Sequence, residues 1–193
     1  MATPSGPSQP TATFGARIAA YLIDSIVLLV VLLIFFVIGG AVLLFTSDLG
    51  KEDPPDAAFS AFIAILIGGP ILFWSLLNLG LTRWRAQTAG MYVAGIIAIS
   101  EDGDVRAPRR VLARWFGMHP TLYHPLFVPL WSLLAAYATS LTLSRSVLIV
   151  TLTLALLCLA VPIAGLAAMA LDSERRGIHD RIAHTRVVPV DAP

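Results

Sequence analysis

Apolar residues in this chain fall in long unbroken blocks, and polar residues gather in the short stretches between them. The first block, Ile18 to Phe45, exceeds the ~20 residues that a helix needs to cross a ~30 Å hydrocarbon layer, and predicts a transmembrane helix over about 17–46. Asp48, Lys51, Glu52, Asp53 and Asp56, with Pro54-Pro55 among them, then predict a short acidic loop. A second helix is predicted over about 58–81, with Pro70 as a place to bend because proline removes a backbone donor. A third is predicted over about 121–143, broken early by Pro120, Pro125 and Pro129, and a fourth over about 147–171.

The connection 82–120 is apolar only in part. Val93 to Ile99, running into Glu101-Asp102-Gly103-Asp104, reads as a strand followed by a tight turn. Ala107-Pro108 then opens a short helix with Arg109, Arg110 and Arg114 beside Val111, Leu112, Trp115 and Phe116, a pattern that suits a membrane interface, basic side to the headgroups. Residues 1–13, uncharged and rich in Pro, Ser and Thr, read as a disordered tail and lack the basic start of a secretory signal. Beyond the fourth helix, Gly177 reads as a helix stop, Thr185 to Val190 as a second strand and 189–193 as a C-terminal tail. The expected architecture is an all-α membrane protein: a bundle of about four transmembrane helices in a membrane domain over 14–188. A small cytoplasmic cap completes it, in which Val93–Ile99 and Thr185–Val190 can pair as a two-stranded β element.

Composition narrows the class further. Of 193 residues, 57% are hydrophobic and 13% charged, and the mean hydropathy of +0.81 lies outside the range of soluble domains of this length. The single cysteine, Cys158, excludes an internal disulfide and a cysteine-based zinc site. With four spans, Arg17, Arg83, Arg85, Arg106, Arg109, Arg110, Arg114, Arg175, Arg176, Arg181 and Arg186 share one side, against Lys51 and Arg145 on the other. That asymmetry predicts a multi-pass protein of the cell (inner) membrane with both termini in the cytoplasm.

Three polar residues enter the first apolar block along one helical stripe: Arg17, Tyr21 and Asp24. The rise of a helix puts Asp24 about 10 Å beyond Arg17, and side chains lean toward the helix N-terminus, so a direct Arg17–Asp24 pair is not expected. Asn78 approaches the same depth on the second helix, and the fourth helix delivers Asp172, Arg176, His179, Asp180 and Arg181 to the same side. Arg17, Tyr21, Asp24, Asn78, Asp172, Arg176, His179, Asp180 and Arg181 thus form a candidate inner-leaflet polar cluster. Asn78 and the arginines of the tail or the long connection are the expected partners of Asp24. An ionisable side chain inside a membrane span points by default to the binding or relay of a proton or monovalent cation.

The rival reading is a structural or accessory module that forms homo-oligomers or assembles with other membrane proteins through Ala160, Ala164 and Ala168 of the fourth helix. No nucleophile with a base, phosphate loop or nucleic-acid surface is recognisable, so no enzyme activity, cofactor, metal or nucleic-acid partner is expected; the lipid bilayer is. His179 and His184, five positions apart, do not match a metal-ligand spacing.

Three separated pieces share one known pattern. Gly15-Ala-Arg-Ile-Ala-Ala-Tyr-Leu-Ile-Asp24, Gln87-Thr-Ala-Gly-Met-Tyr-Val-Ala-Gly-Ile96 and Arg176-Gly-Ile-His-Asp-Arg-Ile-Ala-His-Thr-Arg-Val-Val188 together resemble the RDD family of small bacterial membrane proteins. The arginine and two aspartates of that name fall by motif on Arg17, Asp24 and Asp180. The resemblance implies a membrane domain, often described with three spans, and the cation/proton exchange suggested for some members.

Overall fold

The computed structural model of the chain describes residues 10–100, 105–119, 124–142 and 145–190. Residues 1–9 of the expected disordered stretch 1–13, the turn 101–104, the start of the third apolar block at 120–123, residues 143–144 and the last three residues lie outside the described residues.

Two long helices come first. Helix α1 (Phe14–Thr46) starts where the Thr13 hydroxyl accepts the Ala16 N–H at 3.2 Å, which satisfies one of the donors left free at a helix start. Helix α2 (Asp56–Arg85) runs unbroken through Pro70 and ends with Ala86 in the left-handed conformation, φ 57°. The Ala86 N–H returns to the Thr82 carbonyl at 3.0 Å, and the chain turns off the helix axis.

The cap follows. Helix α3 (Ala89–Val93) is a single turn, where the sequence reading placed the start of a strand; strand β1 begins only at Ile96 and ends at Ser100. The reason is local: the Thr88 hydroxyl caps the turn by accepting from Met91, and Gly95, at φ 64°, redirects the chain. Helix α4 (Pro108–Gly117) has proline at its first position, where no backbone donor is lost.

A short 3-10 turn (Pro125–Phe127) then leads into α5 (Val128–Thr142), and α6 (Arg145–Leu171) returns antiparallel to it. Helix α6 stops at Leu171 rather than at Gly177. Gly177 instead precedes α7 (Ile178–Ala183), and strand β2 (Thr185–Pro189) follows.

Strands β1 and β2 pair antiparallel with Ala98 opposite Val187, as the two-stranded element requires. The pairing is widened on both sides: Ala98 N–H reaches the Ala86 carbonyl at 3.1 Å, and Ala12 N–H reaches Val187 at 2.9 Å. Ala12 is fully buried, so the ordered chain begins before α1 and the tail is not disordered up to Thr13.

Two cores result. Ala12, Ala20, Met91, Ile96, Ala98 and Val187 join the cap to the first turns of α1, and Leu28, Trp74, Phe127 and Cys158 bind α1, α2, the 3-10 turn and α6 together. Most large side chains of α1 and α6 otherwise point outward, including Ile26, Val37, Phe45, Ile149 and Ile163. A soluble protein would bury them; here they make the apolar surface that a bilayer solvates.

Helices α1, α2 and α6 are long and apolar enough to cross a membrane. Helix α5 has 15 residues, about 22 Å at the helical rise, and is shorter than the 121–143 span expected. It starts deep. At its near end His124 stacks on Tyr21 at 5.4 Å, roughly 10 Å along α1 from its start.

Candidate functional site

The site is built at the capped end, where the start of α1 meets the ends of α2 and α6. Asp180, completely buried, is its electrostatic centre. Arg17 Nη1 donates to Asp180 Oδ2 at 2.6 Å and Arg114 Nη1 to Asp180 Oδ1 at 2.5 Å, so each carboxylate oxygen has a guanidinium. The Gly177 N–H adds a third donor at 3.2 Å, which places Asp180 as the acidic cap of its own short helix. Arg114 also donates to Thr185 Oγ1 at 2.8 Å, and its Nη2 lies 3.8 Å from the Met91 sulfur. One carboxylate therefore ties α1, α4, α7 and β2 together.

Charge in so enclosed a place needs partners, because desolvation of an unpaired ion costs several kcal/mol. Burial alone would raise the Asp180 carboxyl, but His179 when protonated, Arg114 and Arg17 outweigh it and hold the group well below the usual carboxylate range. Burial pushes the neighbouring His179 imidazole down to about 4; Asp180 opposes that shift, and Arg114 and Arg17 reinforce it. Arg17 Nε and Nη2 and Arg114 Nε are buried without a hydrogen-bond partner among the described residues.

Asp24 lies deeper and is held differently. Its Oδ2 accepts from the Thr88 hydroxyl at 2.6 Å and its Oδ1 from the Gly90 N–H at 2.7 Å. Those two bonds seat α3 against α1, and the contact is close: a Cβ on Gly90 would run into the Ala20 carbonyl and come within 2.9 Å of Asp24 Cγ. The expected partners of Asp24 are thereby corrected. Asn78, also buried, donates to the Trp74 carbonyl at 3.1 Å; Arg114 of the long connection binds Asp180, and Arg176 and Arg181 of the tail bind Asp172. The carboxylate prefers the hydroxyl and N–H because α3 carries them directly onto the α1 stripe.

Tyr21 stacks on His124, whose Nδ1 accepts the Leu126 N–H at 3.2 Å. The proton then belongs on Nε2, which donates to Ser25 Oγ at 3.0 Å, and that hydroxyl passes its own proton to the Tyr21 carbonyl at 2.7 Å.

A cavity of about 200 Å³ opens between these groups, and Arg17, Tyr21, Asp24, Asn78, Arg114 and His124 are among the polar residues that line it. Trp74 and the α6 residues Val161, Leu166 and Met169 are among its apolar lining.

Of the nine residues singled out from the sequence, Arg17, Tyr21, Asp24, Asn78 and His179 line this cavity, and Asp180 stands behind the two arginines. Asp172, Arg176 and Arg181 do not. They form a separate group outside the cavity, with Asp172 Oδ2 3.1 Å from Arg176 Nε and 3.2 Å from Arg181 Nη2. Arg114 was assigned to headgroups by sequence and is instead 1% exposed. It shares the α4 face of Val111, three positions earlier, and that spacing was the available signal. Thr88 and Gly90 carried no charge to mark them.

No curated protein and no solved structure matches the chain, but the model of the RDD family matches residues 11–184, from the buried segment before α1 to the end of α7. That span covers most of the chain, including Arg17, Asp24 and Asp180, and the protein is therefore a membrane protein of the RDD family.

Proposed function

We propose that the protein binds, and passes between the cavity and the cytoplasm, a proton or a monovalent cation at Asp24. One observation carries this reading: among the described residues, Asp24 is a carboxylate on the cavity wall with no ion pair, held only by a hydroxyl and a backbone N–H. A carboxylate so held keeps its charge available to a mobile ion, whereas Asp180 is committed to two guanidiniums. The fixed charges thus divide the work: Asp180 assembles the cap and Asp24 meets the ion. Thr88 holds its hydroxyl on the same carboxylate, and Asn78 and Tyr21 line the same cavity. The basic residues gathered at this end favour the cytoplasmic side for the opening.

Purified protein in liposomes is expected to move protons, or sodium or potassium, above the leak of empty liposomes, and Asp24→Asn is expected to abolish the flux with insertion intact. Flux equal to empty liposomes contradicts the reading. The accessory reading finds support in Ala160 and Ala164, which lie exposed on α6 away from its buried positions Thr151, Ala155, Cys158 and Met169. It predicts a co-purifying partner that Ala164→Leu releases.

A further inference from the structure

Arg85, at the capped end, is held by aromatic rings rather than by a carboxylate. Its guanidinium carbon lies 4.5 Å from the centre of the Trp84 ring and 4.8 Å from that of Tyr92, within the ~6 Å over which a cation is attracted to an aromatic face. The described carboxylates of this end are engaged elsewhere: Asp24 by Thr88 and Gly90, Asp180 by Arg17 and Arg114, Asp172 and Glu174 by Arg176. Neither Arg85 nor Arg83, two positions before it, has an ion pair among the described residues.

The fold sets the depth of this group. Trp84 and Arg85 end α2, and Tyr92 belongs to α3, whose Gly90 N–H reaches Asp24 of α1 at 2.7 Å. Leu22 and Ile26, two positions to either side of Asp24, are largely open, so the lipid-facing surface of α1 has begun at this level. Trp84 and Tyr92 are themselves 68% and 59% exposed. Open aromatic rings where an apolar helix surface gives way to charge belong at the headgroup level of a bilayer.

Charge then selects the headgroup. An arginine stacked on a ring keeps its N–H edge for a partner, and that edge matches the two oxygens of a phosphate. Arg85 already lies over the two rings that could otherwise attract a choline ammonium, and Arg83 adds positive charge beside them.

We infer that Arg85, backed by Trp84 and Tyr92, binds the phosphate of an anionic phospholipid in the leaflet that the capped end faces. The inference stands apart from the ion reading. It does join the lipid to the site, because α3 carries both Tyr92 and the Gly90 N–H that holds Asp24.

Native mass spectrometry of the full-length protein in mild detergent reads this choice, with phosphatidylglycerol and phosphatidylcholine of identical acyl chains added in equal amounts. Bound phosphatidylglycerol is expected to exceed phosphatidylcholine about ten-fold. Arg85→Gln is expected to lower that ratio to about two-fold, whereas Arg109→Gln, at another exposed arginine of the same end, leaves it unchanged. Equal retention of the two lipids by the parent chain, or the same loss in both arginine variants, overturns the inference. Tyr92→Leu keeps every charge and removes one ring; it is expected to weaken phosphatidylglycerol about three-fold, and unchanged binding overturns the inference. Should Arg85→Gln unfold more readily than the parent chain in lipid-free detergent, Tyr92→Leu decides alone. Inorganic phosphate in excess over the lipid is expected to leave phosphatidylglycerol bound; its release would mark a site for free phosphate and overturn the lipid assignment.

Discussion

Arg17 and Asp180 stand 163 positions apart in the chain and 2.6 Å apart in the fold, and their contact closes the cap onto the first helix. The Arg17 and Asp180 side chains are 6% and 0% exposed, with Arg114 completing the group at 2%. In such a setting the net worth of the ion pair against apolar residues is small, but removal of one member leaves an uncompensated charge. Asp180→Ala strands two guanidiniums. A loss of about 3–5 kcal/mol is expected, read as unfolding in detergent at lower temperature or denaturant. Retention of full stability would mean that the cap is held by its strands and apolar core instead.

Gly90 supplies a second test. Only a residue without a side chain lets α3 approach the Ala20 carbonyl closely enough for its N–H to reach Asp24. Gly90→Ala forces the two elements apart and breaks that bond, at a cost of about 1–3 kcal/mol. Gly40→Ala is the control, because a Cβ there meets nothing within 4 Å. The two variants are compared by thermal unfolding, and the Gly90 variant is expected to lose ion binding as well, because the deepest carboxylate is no longer seated.

Acid is expected to loosen the cap in two stages of the same sign. The unfolded chain protonates His179 near its ordinary 6.5, whereas in the fold the imidazole resists protonation down to about 4. Between those values the unfolded state binds more protons, so stability falls as pH falls. His179→Gln should flatten that portion of the curve. Below the ordinary carboxylate value of 3.8 the same holds for Asp180, whose folded pKa is lower still, and its contribution is lost only as pH falls through that lower value. Hydrogen exchange of β2 amides against pH reads both stages; a cap that tightens on acidification would reverse the sign.

Much of this was legible in the chain itself, and the reasons differ by residue. The apolar blocks predicted the long helices because a bilayer imposes a length, and only α5 came out shorter, with the proline-led 3-10 turn Pro125–Phe127 in front of it. The pairing of β1 with β2 followed from two short alternating runs, although the turn at Ala89–Val93 displaced the strand start to Ile96. Arg17, Asp24 and Asp180 were visible as charges inside or beside apolar runs. Which charge meets which was not. Helical spacing says that Asp24 cannot reach Arg17, but that the Gly90 N–H would arrive first depends on a tertiary approach with no mark in composition. Arg114 looked like its neighbours Arg109 and Arg110 until α4 was seen packed on α7 at Gly117, where the His179 backbone lies so close that a Cβ would meet its Cα at 3.0 Å.

The central claim is that Asp24, not Asp180, is the carboxylate that exchanges its charge with a mobile ion. Infrared difference spectroscopy on the reconstituted protein, with pH or sodium switched over the same film, reads that directly. A carboxyl C=O change is expected in the parent chain and is expected to disappear in Asp24→Asn. The same change persisting in Asp24→Asn, or no change in the parent chain, would contradict it.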